Sequence, residues 1–415
     1  MRVIVMYDEL ADRSIGERLQ IVRERTGKSR AVVAGLVGRS EEWLKSIEKG
    51  RRALPPIDML IRLCGAIGVR DLAEIIGDTP GVGLEMGLQR RNGHPVVASI
   101  RDAIETVDLA PVTGPPPDAG ELSARTEYAW RLWHTSPNPR ADSGPVLAGL
   151  IRDGRRAVRV LDGRDRREAY AALAGAYALS EQILAWVADS ALLWLAADRC
   201  MDAAQQADDP ETLAAAAWVL GNVWRATGRE DDAYRLALDA AALLEPRLGS
   251  GPDSTRALWG AVQLHSSITA ARLGREGDAL RALDEASAMA DRMPVGYAHP
   301  WTLFGRPNSD LTGVSVHVDL RKGTNALDHV SRVDPDEIPS LDRRARLWLE
   351  SARAYRLRGD WMSTLHLLQK ASAVSEESMR CHPLSRGLAG ELVTSGGRVI
   401  ERESRALASR LGLTV

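Results

Sequence analysis

The chain has 415 residues, with 54 Lys and Arg against 56 Asp and Glu and a formal net charge of −2. That length allows two or three domains, and the near balance of charge excludes a polybasic coat, so any nucleic-acid footprint must be local. Cys64, Cys200 and Cys381 lie far apart without paired spacing and read as free thiols of a reducing cytoplasm. No window is apolar for long enough to cross a bilayer, and the apolar run at residues 3–6 is too short for a signal peptide. The expected location is therefore cytoplasmic, with no membrane partner. Abundant Ala and Leu with few β-branched runs predict an all-α fold.

In chain order, residues 1–12 read as a tail and residues 13–78 as a small helical domain. Ile15, Leu19 and Val22 form an apolar stripe that ends at Gly27. Ser29 caps a second helix carrying Val32, Val33, Leu36 and Val37, which Gly38 breaks. Ser40 caps a third with Leu44 and Ile47, and Gly50 stops it. Pro55 and Pro56 open a fourth with Met59, Leu60, Leu63 and Ile67, and residues 72–76 close the bundle. Lys and Arg outnumber Asp and Glu here by about two to one, which marks the local basic footprint. Residues 79–120 read as a linker rich in Gly and Pro, interrupted by one amphipathic helix over 94–109.

Residues 121–415 read as helices with a turn every 15 to 20 residues. Leu220, Gly221 and Trp224, followed by Gly228, Ala233, Ala237 and Ala240, carry a pattern that resembles the tetratricopeptide repeat. Gly274, Ala279, Leu283 and Ala286 repeat its second half at the same offsets, and Gly359, Thr364, Leu368 and Ala371 do so more loosely. A further partial match at Ala326, Val330 and Val333 has Arg321 where the turn glycine belongs. The resemblance implies an α-solenoid, in which stacking buries apolar faces that one repeat alone leaves open.

The spacing of Arg30, Ala34, Gly38, Leu44 and Ile47 is that of a helix-turn-helix. Ala34 is small where two helices cross, Gly38 takes the positive φ of the turn, and Leu44 and Ile47 anchor the second helix. The face that begins at Ser40 is left for the major groove. The run KSRAVVAGLVGRSEEWLKSIEKG resembles the Xre family, a likeness that covers about 60 residues. The resemblance implies a double-stranded DNA partner and, from it, Arg30, Arg51 and Arg52 are expected on phosphates; the family often has Gln at the first. Arg39 and Ser40 are expected on the DNA backbone, and Glu41, Glu42, Lys45, Ser46 and Lys49 towards bases. Two acids at the tip of a reading helix are unusual beside a polyanion. Either accepts a hydrogen bond from cytosine N4, or stabilises the helix N-terminus. Trp43 is expected to pack rather than read.

In the array, the repeat register puts Trp218, Asn222 and Arg225 on the concave lining face. Asn308, Leu311 and Ser315 fall there in a later unit, and Arg346, Arg353 and Arg356 near the end. Asn suits a peptide backbone and Arg a carboxylate or phosphate, so a peptide or small anionic ligand is expected; a solvated helix face has the same pattern. Residues 301–308, with the chain's single Phe at Phe304, are a second candidate. The eight His are scattered, Cys spacing excludes a zinc finger, and no phosphate loop, G-x-S-x-G or βαβ alternation occurs. No enzyme activity, cofactor or metal is expected. The whole arrangement resembles signal-sensing regulators, and in architecture the peptide-pheromone receptors of bacteria. That likeness implies a homodimer and a ligand that shifts DNA affinity. The alternative is a DNA-addressed adaptor whose array recruits a protein.

Overall fold

The computed structural model describes residues 13–69, 73–76, 94–107, 109, 111–115 and 117–413. The expected tail at 1–12 and the glycine-rich part of the linker, with Gly81, Gly83 and Gly87, lie outside the described residues. Every described element is helical.

The N-terminal bundle comprises α1 (Ile15–Arg25), α2 (Arg30–Leu36), α3 (Glu41–Glu48), α4 (Ile57–Ile67) and α5 (Ala73–Ile76). Its three expected stops hold: Gly27, Gly38 and Gly50 have φ of 70°, 71° and 64°. The caps hold too, since Ser29 and Ser40 accept from the amides of Val32 and Trp43 at 3.2 Å. At the first cap, Ser14 and Glu17 form a reciprocal capping box. Leu19, Val33, Ala34, Leu44, Ile47 and Leu63 form the core. The closest helix approach is at Gly16, where a Cβ would lie 2.3 Å from the Ile47 carbonyl oxygen, so any side chain there forces α1 off α3.

The linker helix α6 (Val96–Glu105) is shorter than expected, because Thr106 turns extended and Leu109 is solvent-exposed. From there the chain runs as antiparallel pairs. They are α7 (Ala119–Thr135) with α8 (Pro139–Val160), α9 (Gly163–Leu184) with α10 (Ser190–Ala207), and α11 (Pro210–Ala226) with α12 (Glu230–Leu244). Next come α13 (Asp253–Arg272) with α14 (Glu276–Ala290), α15 (Arg306–Asp319) with α16 (Gly323–Val330), and α17 (Leu341–Leu357) with α18 (Trp361–Val374). The described residues end in α19 (Glu376–Cys381), α20 (Pro383–Ser395), which His382 caps, and α21 (Glu401–Arg410). The first helices of successive pairs, α9, α11, α13, α15 and α17, pack in series along the inner side.

The two ends of this array touch. Glu377 on α19 accepts from the Arg140 and Ala141 amides at the start of α8, at 2.8 and 3.1 Å. Its carboxylate also meets His94 at 3.1 Å, and Ser375 donates to the Pro137 carbonyl. An anion on the free amides of a helix N-terminus is favourable, so this contact holds the superhelix closed on itself.

Residues 301–308 are structural. Phe304 is fully buried against Gly260, and Trp301 stacks on Trp130 with ring centroids 5.7 Å apart. Asn308 gives its side-chain amide to the Thr302 carbonyl and so ties this segment to α15.

The turn positions of the repeats explain the odd one. Gly228, Gly274 and Gly359 have φ of 79°, 71° and 76°, and Arg321 takes the same left-handed conformation at 62°. A non-glycine residue there carries strain of roughly 1–2 kcal/mol, partly offset by the lower unfolded-state entropy of a residue with a Cβ. Arg321→Gly is expected to stabilise the protein by about 0.5–1 kcal/mol, read as a rise of roughly 1–2 °C in the melting midpoint. A lowered midpoint would show that the Arg321 side chain contributes more than its backbone costs.

Candidate functional site

Helix α3, the one expected to read DNA, is set against α1 and α2 by a buried charge cluster. Glu48, with its side chain fully buried, holds Arg23 at 2.5 and 3.1 Å and Arg30 at 2.5 Å. Arg23 itself is 4 % exposed, and it also donates to the Lys28 carbonyl and to the half-exposed Glu24 at 3.2 Å. Arg30, expected on a phosphate, is therefore an internal strut that keeps part of its side chain at the surface. Nothing in the sequence marked Glu48 as its partner except the position of an acid at the end of α3.

Along α3, Ser40 caps and Ser46 turns its hydroxyl back to the Glu42 carbonyl at 2.8 Å. Glu42 pairs with Lys45 at 3.2 Å across the exposed face. Glu41 and Glu42 are exposed in the first turn, where the helix dipole favours them. Lys49 and Arg51 are exposed. Trp43 is buried, as expected. The guanidinium carbons of Arg39 and Arg52 each lie 5.7 Å from its ring centroid.

Arg39 is where the bundle meets the array. It donates to Asp231 at 2.9 Å and to the Gly228 carbonyl at 3.0 Å, with Glu230 at 3.5 Å. Glu230, Asp231 and Asp232 form the acidic first turn of α12, and Asp231 is also held by Arg275 at 2.7 Å. Arg52 is 8 % exposed, and burial pushes its guanidinium down to about 10 despite the nearby Glu230 and Asp231. Two residues expected to meet the DNA backbone, Arg39 and Arg52, are thus covered by the array in this arrangement.

The concave lining face assembles largely as the register implied. Trp218, Asn222, Arg225, Leu311, Ser315 and Arg346 all line one cavity of about 240 Å³ on the inner side of the array. Asn308 does not belong to it, being occupied at residue 302. Arg353 lies behind the wall, bound to Glu350 at 2.5 Å and Asp319 at 2.9 Å. Arg356 points elsewhere, to Glu391 at 2.6 Å and the face of Trp361. The sequence missed Arg140, Glu181, His265 and Arg343, which also line the cavity. His265 stacks on Trp218 at 5.0 Å, and burial with nearby Arg225 holds it well below the usual imidazole range. Glu181, fully enclosed, is pushed up to about 7 by burial. Among the described residues no group of His, Cys, Asp or Glu is placed to hold a metal ion.

Residues 14–75 match the protein family described as a helix-turn-helix domain. That span is α1 to α5, and it contains the reading helix and both cation–aromatic contacts. No curated protein matches the sequence. Among solved structures, the chain is similar to a Rap protein complexed with competence and sporulation factor, at 13% identity and a TM-score of 0.42. That alignment covers 88% of this chain and all of the other. It is also similar to yeast Tom70 at 13% identity and a TM-score of 0.36, covering 92% of this chain and 86% of the other. No helix among the described residues is long and apolar enough to cross a membrane.

The charge cluster gives a direct test. Glu48→Gln leaves the buried Arg23 with only the half-exposed Glu24 as counter-charge, and losing a buried partner typically costs up to about 3–5 kcal/mol. Circular dichroism melts of the full chain should show the N-terminal bundle unfolding first, in a separate low-temperature step. A single unchanged transition would mean that Glu24 and the Lys28 carbonyl satisfy Arg23 without Glu48.

Proposed function

We propose that this chain is a sequence-specific DNA-binding transcription regulator of the Xre type, acting as a homodimer, whose helical array senses a small molecule or short peptide. The observation that carries the reading is the contact of Arg39 with Asp231, Glu230 and the Gly228 carbonyl. It joins the helix-turn-helix to the array through a side chain that the bound state needs for DNA. The first turn of α12 presents carboxylates to Arg39 much as a DNA strand presents phosphates. Array and DNA therefore compete for one guanidinium.

Continuity of the chain links this contact to the cavity. Helix α11 carries Trp218, Asn222 and Arg225 into the cavity and ends at Ala226, two residues before the carbonyl that Arg39 holds. A ligand that shifts the end of α11 shifts the acidic turn with it. The shift acts on DNA affinity only as far as the ligand prefers one arrangement over the other. The chemistry of this reading is binding rather than catalysis. Two copies reading half-sites about one DNA turn apart would match a near-palindromic operator.

Anisotropy titration of the DNA fragment upstream of the chain's own gene tests the reading. Arg51→Ala should weaken all sequences alike and lower the salt slope by about one, whereas Lys45→Ala should relax sequence preference. If the double variant binds as tightly and as selectively as wild type, α3 is not the reading helix. Asp231→Asn should raise DNA affinity by about two- to fivefold, the size of a partly exposed ion pair. Unchanged or weaker binding by that variant would show that the array does not compete with DNA for Arg39.

A further inference from the structure

The concave cavity holds more buried positive charge than its carboxylates neutralise. Arg140, Arg225, Arg272, Arg343 and Arg346 line it, against Glu181, Asp319 and Asp342. Arg272 and Arg346 have acidic partners, Asp319 at 3.4 Å and Glu350 at 2.7 Å. The contacts of Arg140 are of another kind. It is 1 % exposed, gives Nε to the Ile183 carbonyl and Nη2 to the Ala185 carbonyl, and its Nη1 is buried with no partner. Arg225 is likewise buried, and its hydrogen bonds go to the Asn222 side chain, the Thr269 hydroxyl and the His265 carbonyl. Neutral oxygens satisfy N–H groups without cancelling the charge. Glu181 is the carboxyl nearest in effect to Arg225, and its raised pKa of about 7 leaves it partly neutral at neutral pH.

Aromatic surface lies beside these cations. The Arg140 guanidinium carbon is 5.4 Å from the Trp133 ring and 6.0 Å from that of Trp186. Trp186 is half-exposed and has a φ of 66°, a backbone cost that holds its indole against His382 at 4.0 Å. Trp218 supplies a second wall on α11.

Size narrows the occupant. Ligand sites for drug-sized molecules run to about 300–1,000 Å³, and this cavity is about 240 Å³. An extended peptide advances about 3.3 Å per residue, so the space takes two or three residues at most. The contact of Glu377 with the start of α8 closes the ends of the array on each other, which limits room for a longer chain. A larger recess outside the array, of about 620 Å³, is also rich in arginine. None of its arginines is buried, and Arg152 is paired with Asp102, so water solvates the charge there as it does not at Arg140 and Arg225.

We propose that the cavity binds a compact aromatic monoanion, its anionic group at Arg140 and Arg225 and its ring against the indoles of Trp186 and Trp218. This rests on the sensing role proposed above and names the class of signal. The anion replaces the missing counter-charge, and the unpartnered Nη1 of Arg140 is the donor open to it. Because Arg225 is the penultimate residue of α11, the ligand contacts the same helix that leads to the Arg39 contact.

The test uses the full-length protein without DNA and two probes of one ring skeleton. They are the anion 8-anilinonaphthalene-1-sulfonate and the neutral N-phenyl-1-naphthylamine. Energy transfer from tryptophan should report one saturable site for the anion, at least about tenfold tighter than for the neutral probe. Arg140→Gln and Arg225→Gln should each weaken the anion by about tenfold or more and leave the neutral probe unchanged. 1-Naphthoate should displace the sulfonate and 1-naphthalenemethanol should not, a comparison that needs no variant. Equal binding of both probes, or wild-type affinity in variants that keep their circular dichroism, overturns the proposal. So does displacement by acidic hexapeptides but not by naphthoate, which would assign the cavity to a peptide. As DNA is absent, failure here leaves the DNA-binding reading standing, and failure of the DNA titrations leaves this site standing.

Discussion

One guanidinium joins the two halves of the molecule. Arg39 follows the turn glycine of the helix-turn-helix and precedes the cap of α3, so its position is set by Gly38 and Ser40. It is held by the acidic first turn of α12 and leans over Trp43, which Arg52 approaches as well. With its guanidinium on the oxygens of Asp231, Glu230 and Gly228 and only 15 % exposed, it is not open to a phosphate while that contact lasts. The placement of the bundle, the covering of Arg52 and the proposed regulation all depend on that exclusion.

Behind the contact lies a frame that turns local repeat packing into a closed shape. Each first helix buries small residues against its neighbours, and Glu377 binds the free amides of α8 to bring the last units back onto the first. Closure gathers side chains from helices far apart in sequence around one cavity, where Arg140 from α8 meets Trp218 and Arg225 from α11 and Arg346 from α17. Helix α11 belongs to both places. Its inner face lines the cavity and its C-terminal end delivers the turn that Arg39 grips.

Much of this was legible in the sequence, and the reasons are local. Glycine stops at 27, 38 and 50 and the serine caps at 29 and 40 are decided by residues within one turn, and all five are observed. The inner-face register placed Trp218, Asn222, Arg225, Leu311, Ser315 and Arg346 together because a solenoid repeats one geometry. The same register misplaced Asn308, Arg353 and Arg356, which local partners take up at residue 302, at Glu350 and Asp319, and at Glu391. Long-range pairings left no pattern to read. The bond from Arg30 to Glu48, the contact from Arg39 to Asp231 and the link from Glu377 to α8 span from 18 to 237 residues. Arg321 shows the opposite case, a position whose conformation the repeat dictated against the preference of its own residue.

The proposed competition for Arg39 can be observed as a distance. Spin labels at Ile61 on α4 of the bundle and Arg235 on α12, in a chain with Cys381 replaced by Ser, report the separation of the two by pulsed dipolar spectroscopy. Both sites are exposed, and the remaining cysteines are buried. The account predicts one narrow distance in the free protein that gives way to a longer one when a duplex that the protein shifts is added. A distance that DNA leaves unchanged, or a broad distribution in the free protein, would contradict it.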